Sequence, residues 1–123
     1  MASKAAEILS IAARDRERIA ADFAQAVNMS APELREWLAS DLSLSVGWKG
    51  GDGMLHESVG HASGRWIADI LEMPRYALTD ADYRHMRKVV GYIRRHLAQE
   101  PANKVTSRWR YSLMNWGHDP LKA

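Results

Sequence analysis

Residues 79–99 read TDADYRHMRKVVGYIRRHLAQ, and this stretch decides how the rest of the chain is organised. At about 100° per residue, Tyr83, Met86, Val90, Ile93 and Leu97 fall on one side of a helix, while Arg84, Lys88 and Arg95 fall within an arc of roughly 40° on the opposite side. Thr79 is an N-cap residue, with Asp80 and Asp82 in the first turn where negative charge suits the helix dipole. Arg95 and His96 occupy the last turn, and Pro101 prevents continuation. The stretch therefore predicts one long helix with a buried face and a positive face. Gly91 interrupts the positive face, where an exposed alanine would favour the helix by about 1 kcal/mol. A glycine in that place leaves room for a close approach by a backbone, a phosphate or a neighbouring helix.

Further helices are expected on both sides of this one. Towards the N-terminus, Ala12, Ile19, Ala20, Phe23 and Val27 form a helical stripe, with Arg14, Asp15, Arg16, Glu17 and Arg18 as a solvated run. Residues 1–13 read as an N-terminal extension and residues 14–123 as a single helical domain. Ser30-Ala31-Pro32-Glu33 has the form of a capping box before Leu34, Trp37 and Leu38, and this short helix should end near Ser40. Residues 41–53, DLSLSVGWKGGDG, are expected to form a Gly-rich loop after the second helix, carrying Trp48. Helical periodicity returns near Glu57 with Trp66, Ile67, Ile70 and Leu71 and ends at Pro74. Ser63 becomes an internal N-cap if Gly60 or Gly64 breaks the helix. Ser107 then caps a last short helix with Trp109, Leu113 and Trp116 on one face, and Gly117 suits its C′ position. Trp37, Trp66, Trp109 and Trp116 are all expected in the core. The predicted fold class is all-α: a single compact domain of about five helices.

Composition narrows the functional classes. The 123 residues are 46% hydrophobic and 26% charged, as in an ordinary folded domain, and the absence of cysteine excludes disulfides, thiolate metal sites and cysteine nucleophiles. His56 and His61 superficially suggest a zinc-protease helix, but they are five residues apart, not four, so they do not share a face. His85 and His96 are three turns apart, about 16 Å along a helix, and cannot share an ion. His118 suits a capping or turn role. No nucleophile–base motif, phosphate-binding loop or defined carboxylate pair appears, so neither an enzyme nor a bound metal or cofactor is expected. With no leader peptide or membrane-length apolar run, the expected location is cytoplasmic, and nucleoid-associated if the protein binds DNA.

Charge supplies the positive signal. Residues 1–80 carry a net −4 and residues 81–123 a net +6, within an overall charge of +2. An anionic partner for the C-terminal third is one explanation, and neutralisation of one half by the other across the fold is its competitor. Arg84, Arg87, Lys88, Arg94 and Arg95 on the long helix, with Arg108 and Arg110 on the last one, form the candidate nucleic-acid-binding set. Tyr92, Trp109 and Tyr111 lie among them as candidate stacking surfaces. The alternative function is a protein-interaction or self-associating module. It would dock the same basic face on an acidic partner, or form a homodimer through the Tyr83/Met86/Val90/Ile93/Leu97 seam, whose 3,4,3,4 spacing is that of a short coiled coil.

The blocks VGHASGRWIADIL, HMRKVVGYIRRHLAQ and SRWRYSLMNWGHDPLK resemble a family of small domain-of-unknown-function proteins of bacteria and some fungi, over about Arg14 to Lys122. Members of that family are often labelled DNA-binding. The resemblance implies a nucleic-acid partner, DNA before RNA, and carries over no catalytic residues.

Overall fold

The computed structural model describes residues 11–47 and 57–122. Among them are six α-helices and no strand: α1 (Ala13–Ala26), α2 (Ala31–Leu38), α3 (Asp41–Ser45), α4 (Val59–Glu72), α5 (Asp80–Leu97) and α6 (Arg108–Asn115), with a 3₁₀ turn at Arg75–Ala77. The all-α expectation holds. The capping signals act where the sequence places them. Ser30 and Glu33 form a capping box at α2, Thr79 and Asp82 form one at α5, and Ser107 caps α6. At the end of α6, Gly117 (φ +85°) donates to Met114 O and His118 N donates to Leu113 O, the paired bonds of a Schellman motif.

Packing makes α5 central. Its Tyr83, Met86, Val90 and Ile93 are buried as expected, and Asp82, His85 and Val89 are buried as well, so its covered arc is about twice as wide as the apolar stripe. One side of that arc meets α1. Arg16 lies over the Tyr83 ring (5.2 Å) and pairs with Asp80 near the start of α5, whereas Asp22 meets Arg94 (3.6 Å) further along both helices. The two helices therefore run parallel. The other side of the arc meets α4 and α6, with α2 against the far side of α4. Arg35 on α2 reaches Asp69 and Glu72 on α4, each at 2.8 Å.

Several sequence expectations are corrected. Residues 41–45 form helix α3 and not loop: Ser40 caps it, and it buries Ser43 and Val46 while Leu42 is 49% exposed. The apolar pattern there points outward, so periodicity could not reveal the helix. Trp48, His56 and Gly50, Gly51 and Gly53 of the expected loop lie outside the described residues. Helix α4 is not broken at its glycines. Ser58 is its N-cap, and Ser63 is a buried interior residue, not a cap. Trp109 and Trp116 are buried and Trp37 packs against the core, but Trp66 is 39% exposed. Of the expected self-association seam, Tyr83, Met86, Val90 and Ile93 are buried within the fold, each at most 6% exposed, and Leu97 is half-buried.

Candidate nucleic-acid interface and an adjoining cleft

Helix α5 brings Arg84, Arg87, Lys88, Arg94 and Arg95 to the surface, all of them exposed. Their settings differ. Arg94 approaches Asp22, and with Arg87 it borders a groove of about 350 Å³ whose other wall is Asp15, Arg18 and Asp22 of α1. On this flank the acidic N-terminal half neutralises part of the basic C-terminal half, as the competing reading anticipated. Arg84, Arg87, Lys88 and Arg95 make no ion pair with the described residues.

The two α6 arginines are not part of that arc. Arg108 is exposed and donates to Ser45 O at 3.4 Å. Arg110 is half-buried and engaged within the fold, its guanidinium bonded to both Asp119 oxygens (3.2 Å each) and to Val105 O (2.9 Å). Burial works against the Asp119 carboxylate, yet Arg110 and the Leu121 amide hold its pKa below the usual range. The same segment is fastened to the end of α1 by His118 Nδ1, which donates to Ala26 O at 2.6 Å, and by Asn28, which exchanges two bonds with the Asp119 backbone.

On its other flank α5 carries His85, Tyr92 and His96, and rings from α4 and α6 interleave with them. Trp66 stacks on His85 (4.1 Å), His85 faces Trp116 (6.3 Å), Trp116 stacks on Tyr92 (4.1 Å), Tyr92 on His96 (5.2 Å), and His96 faces Trp109 (6.5 Å). Spacing of seven and four along α5 puts its three rings on one side, but only the fold supplies the tryptophans between them. Tyr92 and Trp109 therefore spend their faces inside the protein and offer no platform for a base. Tyr111 is likewise engaged, with Trp37 at 5.6 Å. Only Trp66, at the end of the ladder, is substantially exposed; its Nε1 donates to Asp82 Oδ1 at 2.8 Å.

His85 sits between two indoles with Ser63 Oγ at 2.8 Å from its Nε2. Burial, helped by the nearby Lys88 charge and opposed by Ser63 and Asp82, pushes its pKa down to about 4. Because the folded value lies below the ordinary 6.5, the unfolded chain takes up the proton first as pH falls. Stability is then fully present above about pH 6.5 and is lost as pH drops towards 4, by up to about 3 kcal/mol at 1.36 kcal/mol per unit. His96, also lowered by burial, acts in the same direction. Asp82 and Asp119, held below the usual carboxylate range, titrate at lower pH. Urea denaturation between pH 7 and 4.5 should show the fall, and His85→Phe, which keeps a ring in the stack, should reduce its slope. An unchanged slope would show that His85 is not the group responsible.

Beside the ladder, α4, α5 and α6, with Gly47 after α3, border an open cleft of about 420 Å³. Lys88 and Arg95 stand on its α5 wall with Tyr92, and Trp116 and Ser112 form the α6 wall. Val59 and Gly60, at the start of α4, close the third side. A shallower extension shares Val59, Lys88 and Trp116 and runs on to Trp66. His61, one of the histidines considered as a metal ligand, is engaged structurally: it contacts Glu57 through Nδ1 and Leu38 O through Nε2 at 2.6 Å. Among the described residues no group of three or more His, Cys, Asp or Glu side chains is placed to hold a metal ion. No described helix is long and apolar enough to cross a membrane.

Fold and surface thus define a small all-helical protein built around one central helix with a solvent-facing row of cations. The chain belongs to the family described as "Protein of unknown function (DUF3140)", whose model matches residues 22–114. No curated protein and no solved structure matches it.

Proposed function

We propose that this is a non-enzymatic nucleic-acid-binding protein that takes DNA mainly through phosphate contacts from Arg84, Arg87, Lys88 and Arg95. The observation that carries the reading is selective pairing. Arg16, Arg94, Arg110 and Lys122 are partnered by acids within the fold, whereas these four side chains share one helix surface and make no ion pair among the described residues. Arg94 and Arg108 stand at the margin and Arg110 serves the fold. Phosphate contacts alone predict little sequence preference and a strong salt dependence. Four phosphates correspond to a log–log slope of about −3.6 on duplex DNA.

The Arg84/Lys88/Arg95 triple alanine variant should keep the parent's helicity and lose about 2.7 from that slope, at roughly 0.9 per phosphate. A folded triple variant that binds duplex DNA as tightly as the parent would refute the assignment. Running single-stranded DNA and RNA in parallel identifies the preferred nucleic acid. An acidic protein partner is the alternative for the same cations, favoured if none of the three nucleic acids binds.

A further inference from the structure

We propose that the cleft between α4, α5 and α6 is a binding site for a small, largely apolar molecule carrying one anionic group, a carboxylate or a phosphate monoester. Its volume of about 420 Å³ lies in the range of small-molecule sites. Its apolar lining is Val59, which is 41% exposed, with the half-buried Tyr92 and the largely buried Trp116 (4% exposed), and the charge lining it is positive, from Lys88 and Arg95. Neither cation has an acidic partner among the described residues.

Gly91 shows where the end of the Arg95 side chain lies. A Cβ there would meet Arg95 Nη1 at 3.0 Å, with no other residue's atoms among its nearest neighbours. The guanidinium therefore lies back along α5 beside the glycine, which itself lines the groove against α1. Lys88 and Arg95, about two helical turns apart, both line the α5 wall of the cleft. A glycine that costs the helix stability is thus the seat of one of the two cations. Gly60 shapes the opposite wall: its missing side chain lets the α4 backbone approach Trp116, whose Nε1 would lie 2.9 Å from a Cβ. The anionic group would sit between Lys88 and Arg95 and the apolar body against Trp116 and Val59.

Two dyes with the same ring framework test this on the full chain: anilinonaphthalenesulfonate, which is anionic, and phenylnaphthylamine, its neutral counterpart. The parent should bind the sulfonate saturably at one site and more tightly than the neutral dye. Lys88→Gln/Arg95→Gln should lose about tenfold in affinity for the sulfonate and keep its affinity for phenylnaphthylamine. Val59→Trp, which fills the cleft and leaves both cations in place, should weaken both dyes. Arg75→Gln, outside the cleft, should weaken neither. Failure of the parent to bind either dye saturably would overturn the proposal. So would an unchanged sulfonate affinity in the double variant, or unchanged affinity for both dyes in Val59→Trp. The readout is independent of DNA, so the site can stand if the nucleic-acid reading fails.

Discussion

Gly64→Ala should lower stability by about 2–4 kcal/mol, even though alanine is the better helix former. A Cβ at this position would stand 2.4 Å from the backbone oxygen of Asn115 and 2.7 Å from Leu38 Cδ2. The oxygen belongs to α6 and cannot rotate away, and Leu38 is itself only 5% exposed. Helices α4 and α6 must therefore separate, loosening α2 as well. The gain of about 1 kcal/mol from replacing a mid-helix glycine cannot offset this. Gly91→Ala should have the opposite sign, raising stability by up to about 1 kcal/mol, because the only atoms in its way are the mobile end of Arg95. Thermal or urea denaturation of the two variants side by side gives the comparison. At this chain length the first should melt roughly 10 °C below the parent. Equal melting of parent and Gly64→Ala would show that α4 and α6 are not held at this distance.

The second large effect is expected at Asn115, which is 1% exposed and joins three elements. Its Oδ1 accepts from Trp37 Nε1 on α2 (2.7 Å) and from Ser43 Oγ on α3 (2.5 Å), and its Nδ2 donates to Ser43 O (3.1 Å). Asn115→Ala leaves an indole N–H, a hydroxyl and a carbonyl without partners in the interior, at about 3 kcal/mol in total. Asn115→Asp fares no better, since it directs a buried carboxylate oxygen at the Ser43 carbonyl. Ser43→Ala in the Asn115→Ala background should cost less than in the parent, because the hydroxyl it removes has already lost its partner. Strict additivity of the two substitutions would show that the network is not shared.

The apolar stripes of α1, α2, α4, α5 and α6 were legible because each follows helical periodicity, and the caps at Ser30, Thr79 and Ser107 because each depends on neighbours three residues away. Helix α3 was not legible: five residues are too few for a period, and its leucines face outward while its serine faces in. Asn115 gave no signal either, since its three bonds reach residues 72 and 78 positions away. Trp66 looked like core because it shares a face with Ile67 and Ile70, yet it lies at the margin of that face. The basic candidates were visible as a set, but not which of them the fold would use for itself. Arg110 is engaged by Asp119, nine residues on, whereas Arg84 and Lys88 make no ion pair among the described residues.

By itself the sequence determined that the chain is helical, that residues 79–99 hold one long helix, and that this helix carries cations on one face. Those properties depend on local spacing and composition, which act through the backbone of a single segment. Only the tertiary structure decided which cations lack an ion pair among the described residues, that most of the apolar seam of that helix is buried within the fold, and that Lys88 and Arg95 share a cleft with Trp116. These outcomes depend on side chains brought together from helices distant in sequence. Gly91 shows the division plainly. Its presence in a positive arc is written in the sequence, but only packing shows that the space it leaves is taken by the guanidinium of Arg95.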